Sequence, residues 1–266
     1  ILSPMMCRLP LLFLILAWAF PVQASEPRLV GGERAFVSSV VDGDTVVLRD
    51  SIEGMTQIRL VGLQAPKLPL GRRGFKAWPL GEDSKSTLES LVLGQAITLK
   101  FGGRRSDRHG RILAHLFLND GGWVQGEMLR RGMARVYSFP DNRAEVAKML
   151  ALERAARTKR QGIWDHPFYA VRKVKNLHPH IGTFQVIEGQ VLDVAKVKSR
   201  VYLNFGDNWR TDFTVTLSSK VFRLFKKAGM DPMAFKDQSI RVRGWLRKRN
   251  GPMIQASHPE QVEIVK

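Results

Sequence analysis

The chain has 266 residues with 42 Lys and Arg against 24 Asp and Glu, a net charge of +18, and a single cysteine. One cysteine excludes a disulfide-held scaffold, and the length exceeds one typical domain and permits two. A charge this large points to polyanionic partners: nucleic acid, an anionic lipid surface or an acidic polysaccharide.

Residues 1–24 read as a processed leader. Arg8 gives a positive start, Leu9 to Phe20 an apolar core, and Val22-Gln23-Ala24 a small-residue cleavage site. The apolar run is shorter than the roughly 20 residues of a membrane span. The expectation is an exported protein, periplasmic or secreted, with an uncleaved N-terminal anchor as the alternative. Its removal takes away one arginine, no acid and the only cysteine, Cys7.

Val40 to Lys67 reads V-V-D-G-D-T-V-V-L and then, after a gap, I-R-L-V-G-L-Q-A-P-K. The β-formers flank Asp42-Gly43-Asp44, which places two carboxylates at a turn between strands. Arg59 lies inside the second apolar run, so its guanidinium emerges beside those acids. An acid pair with an arginine is the kind of set that phosphodiester chemistry uses. Leu68 to Pro79 is a loop with Arg72, Arg73 and Lys76. Leu88, Leu91 and Val92 have helical spacing, Glu82 and Asp83 suit the helix start, and Gly94 suits its stop. Ala96 to Phe101 and Ile112 to Leu118 are strands around an arginine-rich loop that contains Asp107-Arg108-His109-Gly110-Arg111. Val124 to Arg131 is a short helix. Asn142 with Glu145 predicts a capping box opening a helix that runs to about Gln161.

Three of these runs together resemble the staphylococcal nuclease (thermonuclease) family. They are D-G-D-T followed by R-L and an x-A-P-x turn, the D-x-H-G-R run at 107–111, and Gly162-Ile163-Trp164. The resemblance implies a calcium ligand at Asp44, with Asp42 beside it, and phosphate-clamping catalytic arginines at Arg59 and Arg111. It also places Tyr137 and Phe139 where the family packs aromatics on a nucleotide base. Two of its functional carboxylates are replaced: Gln64 stands at a calcium-binding Asp, and Lys67 at the general-base Glu. Calcium is thus implied by resemblance, but its ligand set is incomplete. Lys67 instead offers a cation to a phosphate, and His109 is a further ligand-binding candidate.

Pro167, His178-Pro179-His180 and Gly182 break periodicity, so 166–182 reads as a linker. From Thr183, strand candidates at 184–194, 201–205 and 212–217, a helix at 218–228, and strands at 240–246 and 253–256 give the element order of an OB-fold. Lys196, Lys198 and Arg200 cluster after its first strand, and Arg241, Arg243, Arg247, Lys248 and Arg249 near its fourth. Tyr202, Trp209 and Trp245 could stack bases between them, or fill a small barrel.

The expected fold is therefore α+β, mainly β. A nuclease-like OB barrel with packed helices spans 36–165, and a second, smaller OB-like β-barrel spans 183–266. Two functional readings stand foremost. One is a basic, exported protein that binds nucleic acid or a similar polyanion without efficient catalysis. The other is an active phosphodiesterase that hydrolyses DNA or RNA. A cell-envelope module for acidic glycan or protein is a third.

Overall fold

The computed structural model describes residues 28–265, and the leader expected at 1–24 lies outside them. The chain opens with β1 (Val30–Asp42), β2 (Thr45–Ile52), β3 (Met55–Leu60) and the two-residue β4 (Leu63–Gln64). Helix α1 (Gly81–Val92) precedes β5 (Ala96–Phe101) and β6 (Ile112–Leu118), and α2 (Val124–Arg130), β7 (Arg135–Val136) and α3 (Val146–Thr158) follow. Strands β1, β2, β3, β6 and β5 close into a barrel in that order, with β3 and β6 parallel. Val37, Val46, Leu48, Ile58, Leu60, Ile97 and Leu99 fill it, and α1 adds Leu88 and Val92 from one end. These are the alternate positions of the strands, so each strand turns one face to the core.

The β1–β2 turn tolerates only glycine at its tip. A Cβ on Gly43 would lie 1.9 Å from the Ser84 hydroxyl of α1. The helix expected from Asn142 begins later, at Val146, and without the capping box. Asn142 donates its side-chain amide to the Arg104 carbonyl instead (2.8 Å), and Glu145 takes a left-handed conformation with no side-chain cap. The long-range bond to the arginine-rich loop has displaced the local one.

Residues 166–182 hold buried Tyr169 and Leu177 and the short strand β8 (Arg172–Lys173). The second half follows: β9 (Phe184–Gln190), β10 (Asp193–Val197), β11 (Arg200–Asn204), β12 (Thr214–Ser218), α4 (Ser219–Lys227), β13 (Ser239–Arg249), β14 (Gly251–Ala256) and β15 (Val262–Ile264). The strand expected over 184–194 is broken at Val191-Leu192, where both backbone N–H groups turn to other partners, Gln238 and Asn204. Its two parts sit far apart in the order β10-β11-β12-β14-β13-β9-β8, so one bent strand curls the sheet into the OB arrangement. A core of Val201, Leu203, Val215, Leu217, Phe225, Ile240 and Ile254 fills it. β12 and β14 run parallel, as β3 and β6 do. In both halves one helix enters between the third and fourth barrel strands.

A charged seam joins the halves. Arg243 of β13 is 1% exposed and donates to both Glu153 oxygens at 2.9 Å and to Glu263 at 2.7 Å. Arg143 grips Glu260, and Arg154 reaches Glu263 at 3.0 Å. Arg243 thus leaves the surface cluster expected for it, and Arg241 pairs with Glu188. Arg247, Lys248 and Arg249 stay exposed.

Candidate functional site

The β1–β2 turn and the β3–β4 run bring Asp42, Asp44, Arg59 and Lys67 together. Asp44 is fully buried and accepts from the Ala65 N–H at 2.7 Å. The Lys67 ammonium sits 2.7 and 2.8 Å from its two oxygens and 3.2 Å from Asp42 Oδ2. Arg59 adds an ion pair to Asp44 at 3.1 Å. Burial alone would raise the Asp44 pKa, but Arg59 and then Lys67 outweigh it and hold the carboxyl at about 2. Asp42 shifts the other way. Its burial and the Asp44 charge raise it, and Lys67 and Arg59 offset only part of that.

The Arg59 guanidinium is occupied on several sides. Besides Asp44 it donates to the carbonyls of Asp44, Leu60 and Leu63. Gln64 turns away from the acids, and its carbonyl oxygen accepts from Arg135 Nε and Nη2 at 2.9 and 2.6 Å. Arg135 is buried, its pKa lowered to about 10 by desolvation, and its guanidinium lies 4.7 Å from the Phe184 ring centroid. No motif announced Arg135. Its position after the α2 helix looks like any surface arginine until the fold brings β4 and β7 side by side.

The other site residues surround a neighbouring cleft of about 480 Å³, lined by Arg59, Arg104, Arg108, His109, Arg111, Tyr137 and Phe139. Asp107 organises its arginine-rich loop. One oxygen accepts from the His109 and Arg111 N–H groups, the other from the Arg111 side chain at 2.7 and 2.8 Å. Burial opposes but these bonds win, so the Asp107 pKa is lowered. Tyr137 and Phe139 meet edge to face at 4.8 Å, and Trp245 of the second half donates to the Tyr137 hydroxyl at 2.8 Å. The fold therefore brings Asp42, Asp44, Arg59 and Lys67 into one cluster. It places His109, Arg111, Tyr137 and Phe139 around the adjoining cleft, with Arg59 bordering both.

The residues present do not fit a calcium ion. Calcium takes about six to eight oxygen ligands, whereas the Asp44 oxygens are already taken by an ammonium, a guanidinium and an amide N–H. Gln64, which stands where the resemblance places a further carboxylate, is spent on Arg135. Among the described residues no three His, Cys, Asp or Glu side chains converge as a metal site would require. What the cluster can do is hold charge: two acids against two cations, with the Lys67 side chain 21% exposed at its edge.

Residues 57–166 match the model of the staphylococcal nuclease homologue family. An uncharacterized endonuclease of Escherichia coli is 33% identical over 156 residues, 59% of this chain and 88% of that protein. The thermonuclease of Staphylococcus intermedius is 25% identical over 51% of this chain and 79% of its own length. The endonuclease YhcR of Bacillus subtilis is 30% identical over 54% of this chain, which spans only 12% of that longer protein.

Proposed function

The chain belongs to the staphylococcal nuclease homologue family, and from that premise we propose that it binds single-stranded nucleic acid without the family's calcium-dependent hydrolysis. The observation that carries this reading is the Lys67 ammonium within 2.8 Å of both Asp44 oxygens, where the family resemblance calls for a carboxylate and a metal. An ammonium is a point charge with three donors and no coordination sphere. It neutralises the acids and leaves the cleft beside them positive, which suits a phosphate backbone. It neither accepts a proton from water while charged nor positions a metal-bound nucleophile. Arg104, Arg108 and Arg111 face the strand, and Tyr137 and Phe139 offer base-sized faces. The leader pattern at 1–24 supports export to the periplasm or medium.

The second reading, an active phosphodiesterase, is favoured by Arg59 and Arg111 together with the endonuclease relatives. Incubating the protein with end-labelled single-stranded DNA and RNA, with calcium and with chelator, separates the two. Chelator-insensitive binding without cleavage is expected. Its log Kd should rise with log salt by about 0.7 per phosphate contact. Robust calcium-dependent cleavage, abolished by chelator and by Asp44→Ala, would overturn the proposal.

A further inference from the structure

A second cavity, of about 530 Å³, lies on the outer face of the second barrel, well within the size range of small-ligand sites. Its floor follows from strand register. Asp193, Asn204, Thr214 and Met253 are cross-strand neighbours on β10, β11, β12 and β14, and Ala195, Tyr202 and Thr216 form the next row. The intervening residues, Val201, Leu203, Val215 and Leu217, point into the core. Two loops raise the walls. Residues 206–212 carry Trp209, 53% exposed, and the β13–β14 turn carries Arg249. The loops are pressed together, since a Cβ on Gly251 would lie 2.4 Å from the Thr211 carbonyl oxygen. The Trp209 loop is further tied by the Asn208 N–H donating to Asp212 at 2.9 Å.

The floor has an unspent donor. Thr216 is 1% exposed, and its hydroxyl has no hydrogen-bond partner among the described residues. A buried, unpaired hydroxyl is costly unless something else completes it. Above it stand an aromatic wall, Trp209, with the Arg210 guanidinium 4.9 Å from its ring, and the ring of Tyr202. Arg200 and Arg249 complete the lining, and among the described residues neither makes an ion pair, whereas the cations around Asp44 are paired.

We propose that this cavity is a second nucleic-acid site, which takes one unpaired base of a single strand between Trp209 and the Thr216 floor. The base edge completes the Thr216 hydroxyl, Asp193 and Asn204 provide acceptor and amide groups for its exocyclic positions, and Arg200 and Arg249 take the flanking phosphates. The guanidinium pair favours a phosphate-bearing ligand over a neutral sugar. This inference rests on the nucleic-acid reading but not on the Lys67 cleft, and the experiment separates them.

Fluorescence anisotropy of the full chain with a labelled oligothymidylate of about a dozen nucleotides measures affinity for the wild type, Trp209→Ala, Trp209→Phe, Thr216→Val and, in the other cleft, Arg108→Ala. Trp209→Ala should weaken binding about tenfold and Thr216→Val about threefold, with Trp209→Phe retaining most of it. Thr216→Val keeps the shape and removes only the hydroxyl, so a fold defect does not explain its loss. Binding that responds to Arg108→Ala but to neither cavity variant overturns this inference and leaves the first cleft standing. No binding to any single strand overturns both. Trp209-dependent binding of polygalacturonate without binding of the oligonucleotide also overturns it, in favour of an acidic glycan.

Discussion

The two barrels share one strand order and one helix position, yet they treat charge at the first turn in opposite ways. In the first barrel that turn carries Asp42 and Asp44, buried and matched by Lys67 and Arg59. In the second the corresponding turn, between β10 and β11, carries exposed Lys198 beside Arg200 at the mouth of a cavity. The helix after the third strand differs too. Ser84 of α1 packs against Gly43 and so presses on the acid turn, whereas α4 starts from its Ser218 cap, the cross-strand neighbour of Arg200. A shared connectivity therefore fixes where a site can form, on the outer face near the first turn. Side-chain pairing decides whether the charges there are available to a ligand.

The sharpest way to break the comparison is to cut the seam on which both barrels lean. Glu153→Gln keeps the shape of the side chain and removes the charge that faces Arg243 and Arg157. Arg243 is 1% exposed and keeps only Glu263 as a charged partner. Breaking a buried pair from one side costs about 3–5 kcal/mol. Urea unfolding should show that loss, together with splitting into two transitions as the halves uncouple. A single transition with an unchanged midpoint would show that the seam is not what couples them.

That seam was invisible in the sequence, and the reason is physical. The strands at 96–101 and 112–118 were legible to the residue, because runs of β-forming residues bounded by turn residues are a local signal. Asp42, Asp44 and Arg59 were legible because the turn and one strand register suffice to bring them together. Arg243 and Glu153 lie 90 residues apart, and Arg135 and Gln64 lie 71 apart. In each pair a charged residue is buried only because a distant segment supplies its partner, and nothing local marks it. Arg243 even interrupts its own alternation, lying buried between Val242 and Gly244.

Protonation probes the same seam more gently. His258 is completely buried, between Ser138 Oγ at 2.7 Å from Nε2 and Ser257 Oγ at 2.9 Å from Nδ1. The Ser257 hydroxyl hydrogen is spent on Gln261, so Nδ1–H donates to Ser257 and Nε2 accepts from Ser138. Burial, with Glu260 opposing and Arg143 assisting, lowers the His258 pKa to about 4. Above the unfolded value of about 6.5 both states are neutral. As pH falls from there toward 4 only the unfolded state takes the proton, and folding loses about 3 kcal/mol. His258→Gln should flatten stability over that window. An equally steep acid loss in the variant would assign the effect elsewhere, for instance to His115, also buried and lowered to about 4.

The smallest expected effect tests the comparison at its origin, the two first turns. Lys67→Met keeps most of the aliphatic stem and removes the ammonium that lies between Asp42 and Asp44. Arg59 remains, and the Lys67 side chain is 21% exposed, so the loss at pH 7 should be about 1–2 kcal/mol rather than the full cost of a stranded buried charge. The sign of its pH dependence follows from Asp42. Its pKa is already raised by burial and by Asp44, and loss of Lys67 raises it further. A raised carboxyl pKa weakens the fold as pH climbs from the unfolded value of about 3.8 through the folded one. The defect should therefore be largest at pH 7 and shrink toward acid pH as Asp42 takes up a proton. Lys198→Met, at the matching turn of the second barrel, should leave the unfolding free energy within about 0.5 kcal/mol at either pH, because Lys198 is exposed and among the described residues pairs with no acid. If the two variants behave alike, Lys67 does not neutralise the acid pair, and the contrast between a closed first turn and an open second one fails.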